Sequence, residues 1–155
     1  MTLPRGARLA VDVGAVRVGV AASDPDGLIA TPVETLARDT SARRTDLAAL
    51  VTEVTERQVA VVYVGLPMHL SGKEGAASAA ARAYAAELAA LVSPVEVRLV
   101  DERMSTVSAH QALHAAGRAG RKHRSVVDQV AAVVILQSAL DHERSRGARA
   151  GELVA

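Results

Sequence analysis

Four acidic residues stand at positions from which a folded chain can bring carboxylates together. Asp12 lies between Val11 and Val13 in a β-branched run, Asp101 and Glu102 close a second run, and Asp128 interrupts the apolar stretch 126–134. An ionised carboxylate near the middle of a sheet is costly unless a cation or hydrogen-bond donors compensate it. The plain alternative for Asp12 is a cap on the turn at Gly14. Asp101 and Glu102 precede a helix expected from Ser105 or Thr106, whose dipole favours acids there. Strand alternation lets only one of the two face Asp12. Glu102 is favoured for its longer reach, and Asp101 is the alternative. Asp128 follows Ser125 at capping-box spacing, yet it is the single acid of 126–134, on the first turn of a helix that must pack on a sheet. Carboxylates converging from separate strand and helix ends form a hard-oxygen site suited to Mg²⁺ or Mn²⁺. The matching reaction is phosphoryl hydrolysis, with two ions about 4 Å apart activating a water and stabilising the leaving oxygen.

Such an acidic site needs cations around it to draw in a polyanion. Arg118, Arg121, Lys122 and Arg124 form a Gly-broken basic loop directly before Asp128, and Arg17 and Arg103 flank the other acids. Between Ala115 and Arg149 seven Arg or Lys face three acids, so the carboxyl-terminal quarter is basic although the whole chain carries only +1. Lys73 sits in a loop, Gly65 to Gly75, that follows a strand and precedes a helix as a phosphate loop does. Its register differs, because six residues separate Gly65 from Gly72 and Glu74 replaces the metal-binding Ser or Thr. Lys73 is therefore read as a backbone contact. His110 and His114 share a helical face, but Gln111 stands where a zincin has Glu, and the pair reads as surface.

The elements that must position these groups follow from hydrophobic periodicity. Residues 8–23 read as a hairpin around Gly14, and 29–36 as a third strand placed at an edge by Pro32. Residues 41–57 form an amphipathic helix carrying Leu47, Leu50, Val51 and Val54, and 59–64 a buried strand. An Ala-rich helix over 76–92 presents Ala81, Tyr84, Leu88 and Leu91, and 95–100 is the fifth strand. A helix to Ala116, stopped by Gly117, and a long one from Ser125 to about Asp141 complete the chain. The expected fold is α/β, a mixed five-stranded sheet in the order βββαβαβα plus a C-terminal helix, flanked by helices. Residues 1–144 form one domain and 145–155 a disordered tail.

Composition narrows the classes further. The 155 residues are half apolar and 23% charged, enough for a self-sufficient core. With no cysteine there is no disulfide, thiolate zinc site or cysteine nucleophile. Phe and Trp are absent and only Tyr63 and Tyr84 are aromatic, which disfavours base-stacking platforms. No run approaches the ~18 residues of a membrane span and no signal peptide opens the chain, so a cytoplasmic protein without membrane contact is expected.

Together the motifs resemble the YqgF/RuvX family, relatives of RuvC Holliday junction resolvases with the ribonuclease H-like fold. The resemblance spans about Leu9 to Leu140. It rests on Asp12-Val13-Gly14 with Arg17-Val18-Gly19-Val20-Ala21, Ser23-Asp24-Pro25, Val64-Gly65-Leu66-Pro67, Gly72-Lys73-Glu74-Gly75, Asp101-Glu102-Arg103 with Ser105-Thr106, and Asp128-Gln129-Val130-Ala131-Ala132. It implies a Mg²⁺- or Mn²⁺-dependent endonuclease on structured nucleic acid, with Asp12, Glu102 and Asp128 as the acidic triad and Asp101 as the candidate fourth ligand. Family members are linked to maturation of the 5′ end of pre-16S rRNA, and some to cleavage of four-way DNA junctions. Pre-rRNA processing leads, junction resolution is the alternative, and a non-catalytic RNA-binding assembly factor is a third reading. A sugar-kinase-like ATPase shares the Asp-x-Gly hairpin but needs two such domains. A junction of two-fold symmetry favours a homodimer, and RNA processing is open to a monomer.

Overall fold

The computed structural model describes residues 3–105 and 124–154 and, within them, every side chain except those of residues 104, 105 and 124–128. Strands β1 (Arg8–Val13), β2 (Arg17–Ser23) and β3 (Ala30–Ala37) are followed by helix α1 (Thr45–Arg57), β4 (Val61–Leu66), α2 (Ala76–Val92) and β5 (Glu96–Asp101). A 3-10 turn, Glu102–Ser105, leaves β5; helix α3 (Arg124–Arg146) and strand β6 (Glu152–Leu153) complete the described chain. The helix predicted to end at Ala116, with His110 and His114, and the loop bearing Arg118, Arg121 and Lys122 lie outside the described residues.

The sheet runs β3-β2-β1-β4-β5-β6. β1 pairs antiparallel with β2 and parallel with β4, β4 pairs parallel with β5, and β3 takes one edge, where Pro32 lacks no needed ladder donor. The sheet is thus mixed, as expected, and Asp12 stands on a central strand.

Alternation divides the core into two layers. Leu9, Val11, Val62, Val64, Val97 and Leu99 meet α1 and α2 through Leu47, Leu50, Val54, Ala81, Tyr84 and Leu88. On the other face Ala10, Ala21, Val61, Tyr63 and Val100 pack under Ala132, Ile135, Leu136, Ala139 and Leu140 of α3. Two sequence expectations shift in detail. Leu91 is half exposed, and the stripe of α2 closes instead through Ala85 and Val92. Helix α1 starts at Thr45 because the Asp39 carboxylate accepts the backbone N–H of Ser41 at 2.9 Å and of Thr45 at 2.8 Å, holding the preceding residues in a turn.

The larger correction concerns the end of the chain. Among the described residues the predicted five strands become six, and within the segment expected as a disordered tail, 145–155, Glu152–Leu153 form the sixth. β6 pairs antiparallel with β5, and Gly151 takes φ +72° where an added Cβ would fall 2.0 Å from the Leu99 carbonyl oxygen. Arg98 donates to the carbonyls of Ala150 at 2.7 Å and Gly151 at 3.0 Å. Below them Glu143 is buried and holds two guanidiniums: Arg8 Nε at 3.1 Å on one carboxylate oxygen, and Arg149 Nη1 at 3.0 Å on the other, where the Tyr63 hydroxyl also donates. The Ala150 N–H donates to that hydroxyl. A Gly-, Ala- and Arg-rich composition reads as a tail, but partners more than fifty residues away order it.

Removing Glu143 leaves two guanidiniums that are each only 7% exposed without a counter-charge. Glu143→Ala is therefore expected to cost about 3–5 kcal/mol, which lowers the melting temperature by roughly 10 °C for a chain of this size. A thermal melt checks it, and a shift of only a degree or two would refute the network's role.

Candidate active site

The carboxyl ends of β1, β4 and β5 meet at one edge of the sheet, where ligands of α/β sheets gather. Asp12 falls on the α3 face of β1, next along the strand from Ala10. Alternation on β5 places Val100, and then Glu102, on that same face. Between them runs β4, and the position it offers there is Gly65. A Cβ on Gly65 would lie 2.5 Å from Glu102 Oε1 and 2.7 Å from Ile135 Cδ1. The Glu102 side chain therefore lies across bare backbone, in space that any other residue would fill.

Asp12 and Glu102 are hydrogen-bonded to each other. Burial first, then the charge of Asp12 and that bond, push the Glu102 carboxyl up to about 7. Two like-charged acids pressed together at a half-buried edge form a site that a bound cation would stabilise. Oxygen donors of this kind fit Mg²⁺ or Mn²⁺.

Asp101 points elsewhere in chemical terms. Its carboxylate accepts Arg103 Nη2 at 2.6 Å, Arg103 Nε at 3.0 Å and the Arg103 backbone N–H at 2.9 Å, and this guanidinium holds it below the usual carboxylate range. Arg103 also reaches the Leu70 carbonyl at 3.4 Å. The pair fastens the 3-10 turn that presents Glu102, and Arg103, predicted to contact nucleic acid, spends its charge on Asp101. Among the described residues no group of three or more His, Asp or Glu side chains is close enough to hold an ion together. Asp128 belongs to α3, one turn before the buried Ala132; its side chain, like that of Arg124, lies outside the described residues.

The other predicted cations border the same edge. Arg17 opens β2 and its carbonyl accepts the Gly14 N–H at 2.8 Å, closing the hairpin beside Asp12. Lys73 is exposed in the loop 67–75, which is braced by His69 N–H to Lys73 O at 2.9 Å and by Ser78, whose hydroxyl donates to the Pro67 carbonyl.

A family model described as RuvX, a Holliday junction resolvase, matches residues 6–142. The chain belongs to the RuvX family. A Streptomyces avermitilis relative is 53% identical over 153 residues, spanning 98% of this chain and 96% of its own, and one from a Nocardioides species is 54% identical, spanning 96% of each. Both are named, provisionally, as pre-16S rRNA nucleases. Among solved structures, Thermus thermophilus RuvC bound to a Holliday junction substrate superposes with TM-score 0.63 at 14% identity over 93% of this chain and 98% of that one. RuvC from the same organism gives 0.56 at 17% identity, over 92% and 98%. At such identities the likeness speaks for the fold alone, and it is the ribonuclease H-like fold that the motifs implied.

In this RuvX-family chain two features of the site escaped the sequence reading. Gly65 was legible only as part of a motif, although a glycine inside a Val-rich strand signals a close approach. Arg38 and Asp46 carried no signal, because what joins them to the hairpin beside Asp12 is tertiary.

Proposed function

We propose that this chain is a divalent-metal-dependent endonuclease that hydrolyses phosphodiester bonds in structured RNA, and that its reaction is 5′-end processing of pre-16S rRNA. The observation that carries the reading is the contact of Asp12 with Glu102 over Gly65, since nothing in folding favours two carboxylates pressed together at a sheet edge. Relatives more than half identical over nearly the whole chain, named for a pre-16S rRNA nuclease, support RNA ahead of DNA.

Asp12, Glu102 and Asp128 are the residues that would hold Mg²⁺ or Mn²⁺. Such an ion supplies charge neutralisation at the scissile phosphate and activation of the attacking water. The protein's own contribution is rigidity: Asp12 on a central strand, and Glu102 on a turn locked by the Asp101–Arg103 pair. Arg17 and Lys73 flank the acids and offer cations to neighbouring phosphates. Arg121, Lys122 and Arg124 precede Asp128 in sequence and would add cations for a polyanion. A cytoplasmic location suits such a substrate.

Cleavage of a labelled pre-16S 5′ segment and of a synthetic four-way DNA junction, side by side with Mg²⁺ or Mn²⁺, tests the reading. RNA cutting that Asp12→Asn abolishes supports it. Symmetric nicks in the junction alone would move the protein to resolvase, the activity in the family's description. No cutting of either would leave an RNA-binding assembly factor. Replacing Arg121 and Lys122 by Ala is expected to lower the slope of log K against log salt by about 2. An unchanged slope would remove both from the interface.

A further inference from the structure

The β1–β2 hairpin tip, Gly14 to Val16, directly follows the end of β1 that carries Asp12, and one side chain outside it holds it. Arg38, the first residue after β3, donates its backbone N–H to the Val16 carbonyl at 2.8 Å and its Nη1 to the Gly14 carbonyl at 2.9 Å. The guanidinium carbon stands 4.9 Å from the centre of the Tyr84 ring, over its face. Its Nε lies 4.0 Å from Asp46 Oδ2, whose side chain is wholly buried and which also accepts the Tyr84 hydroxyl at 3.0 Å. Burial and the Asp46 charge keep that phenol protonated as a donor. Asp46 belongs to α1 and Tyr84 to α2, so Arg38 joins the helical layer on one face of the sheet to the loop that bounds the carboxylate pair on the other.

A buried carboxylate is costly and needs a strong reason to persist. A leucine at 46 would pack between the helices without that cost, and Arg38 would then lose its anchor. We infer that Arg38 is a positioning residue for the active site: held by Asp46 and Tyr84, it fixes the Gly14 carbonyl and thereby the end of β1 that carries Asp12. This rests on the proposed nuclease reading for its consequence in catalysis, but the clamp itself stands apart from it.

The double variant Arg38→Met with Asp46→Asn removes both charges together, so that neither is left buried alone. Arg38→Lys keeps a cation beside Asp46 while losing the flat guanidinium over Tyr84. Amide hydrogen exchange from Gly14 to Val18 is expected to speed by about tenfold in the double variant, against unchanged exchange in β4. Mn²⁺ affinity, measured by calorimetry without substrate, is expected to fall by about tenfold, with a matching loss in kcat and little change in KM. Arg38→Lys should recover part of each. Unchanged hairpin exchange would overturn the clamp whether or not the protein cuts RNA. Faster exchange with wild-type Mn²⁺ affinity would overturn its role in positioning Asp12. A wild-type protein that cuts nothing yet shows the exchange difference would refute the nuclease reading and leave the clamp in place.

Discussion

Asp12→Asn is expected to lower cleavage by at least about a thousandfold, roughly 4 kcal/mol of transition-state stabilisation, while the metal-free protein melts at a higher temperature than wild type. Both effects have one cause. The Asp12 carboxylate is pressed against Glu102, whose carboxyl is already pushed up to about 7 by burial and by the Asp12 charge. The isosteric amide keeps the shape, removes one of the two like charges and donates a hydrogen bond to the other, so the fold gains. The same change takes away one of the anionic oxygens that would hold the ion, so the reaction is lost. Initial rates on the labelled RNA and a melt in chelator measure the two. A variant that unfolds would make Asp12 a structural cap of the Gly14 turn. A variant that still cuts would place the chemistry elsewhere.

Gly65→Ala carries the second large effect and needs no change of charge. The added methyl would stand 2.5 Å from Glu102 Oε1 and 2.7 Å from Ile135 Cδ1, both nearer than such atoms can approach. Both contacts are with the far ends of flexible side chains, so the strand survives and the neighbours move. Overpacking of this kind costs about 1–3 kcal/mol of stability. Glu102 must leave the space in front of Asp12, and a displacement near 1 Å at a reacting centre lowers kcat by about a hundredfold. Comparing kcat with the melting temperature separates the two outcomes. Full activity in a folded Gly65→Ala protein would show that Glu102 takes no part in the reaction.

Much of the architecture was written in local patterns. The hairpin around Gly14, the edge position of Pro32 and the alternation of strands with helical stripes are read within windows of a dozen residues, and the structure carries each of them. Alternation allowed only one of Asp101 and Glu102 on the side of Asp12, because a period of two needs no tertiary knowledge, and the longer reach of Glu102 favoured it. What stayed hidden depends on partners far apart in the chain. Glu143 meets Arg8 135 positions away, and Ala150 meets Tyr63 across 87. No periodicity encodes such pairs, so a Gly-, Ala- and Arg-rich end looked like a tail when it closes the sheet as β6.

By itself, then, the sequence determined the order of the elements from β1 to β5, the central strand bearing Asp12 and the approach of Glu102 to it, since burial periodicity and turn chemistry are properties of neighbouring residues. Only the tertiary structure decided that Asp101 belongs to Arg103, that Gly65 makes room for Glu102, and that Arg38 ties the hairpin to the buried Asp46. Those are matters of which side chain fills which volume, and volume is shared between strands and helices that sequence distance keeps apart.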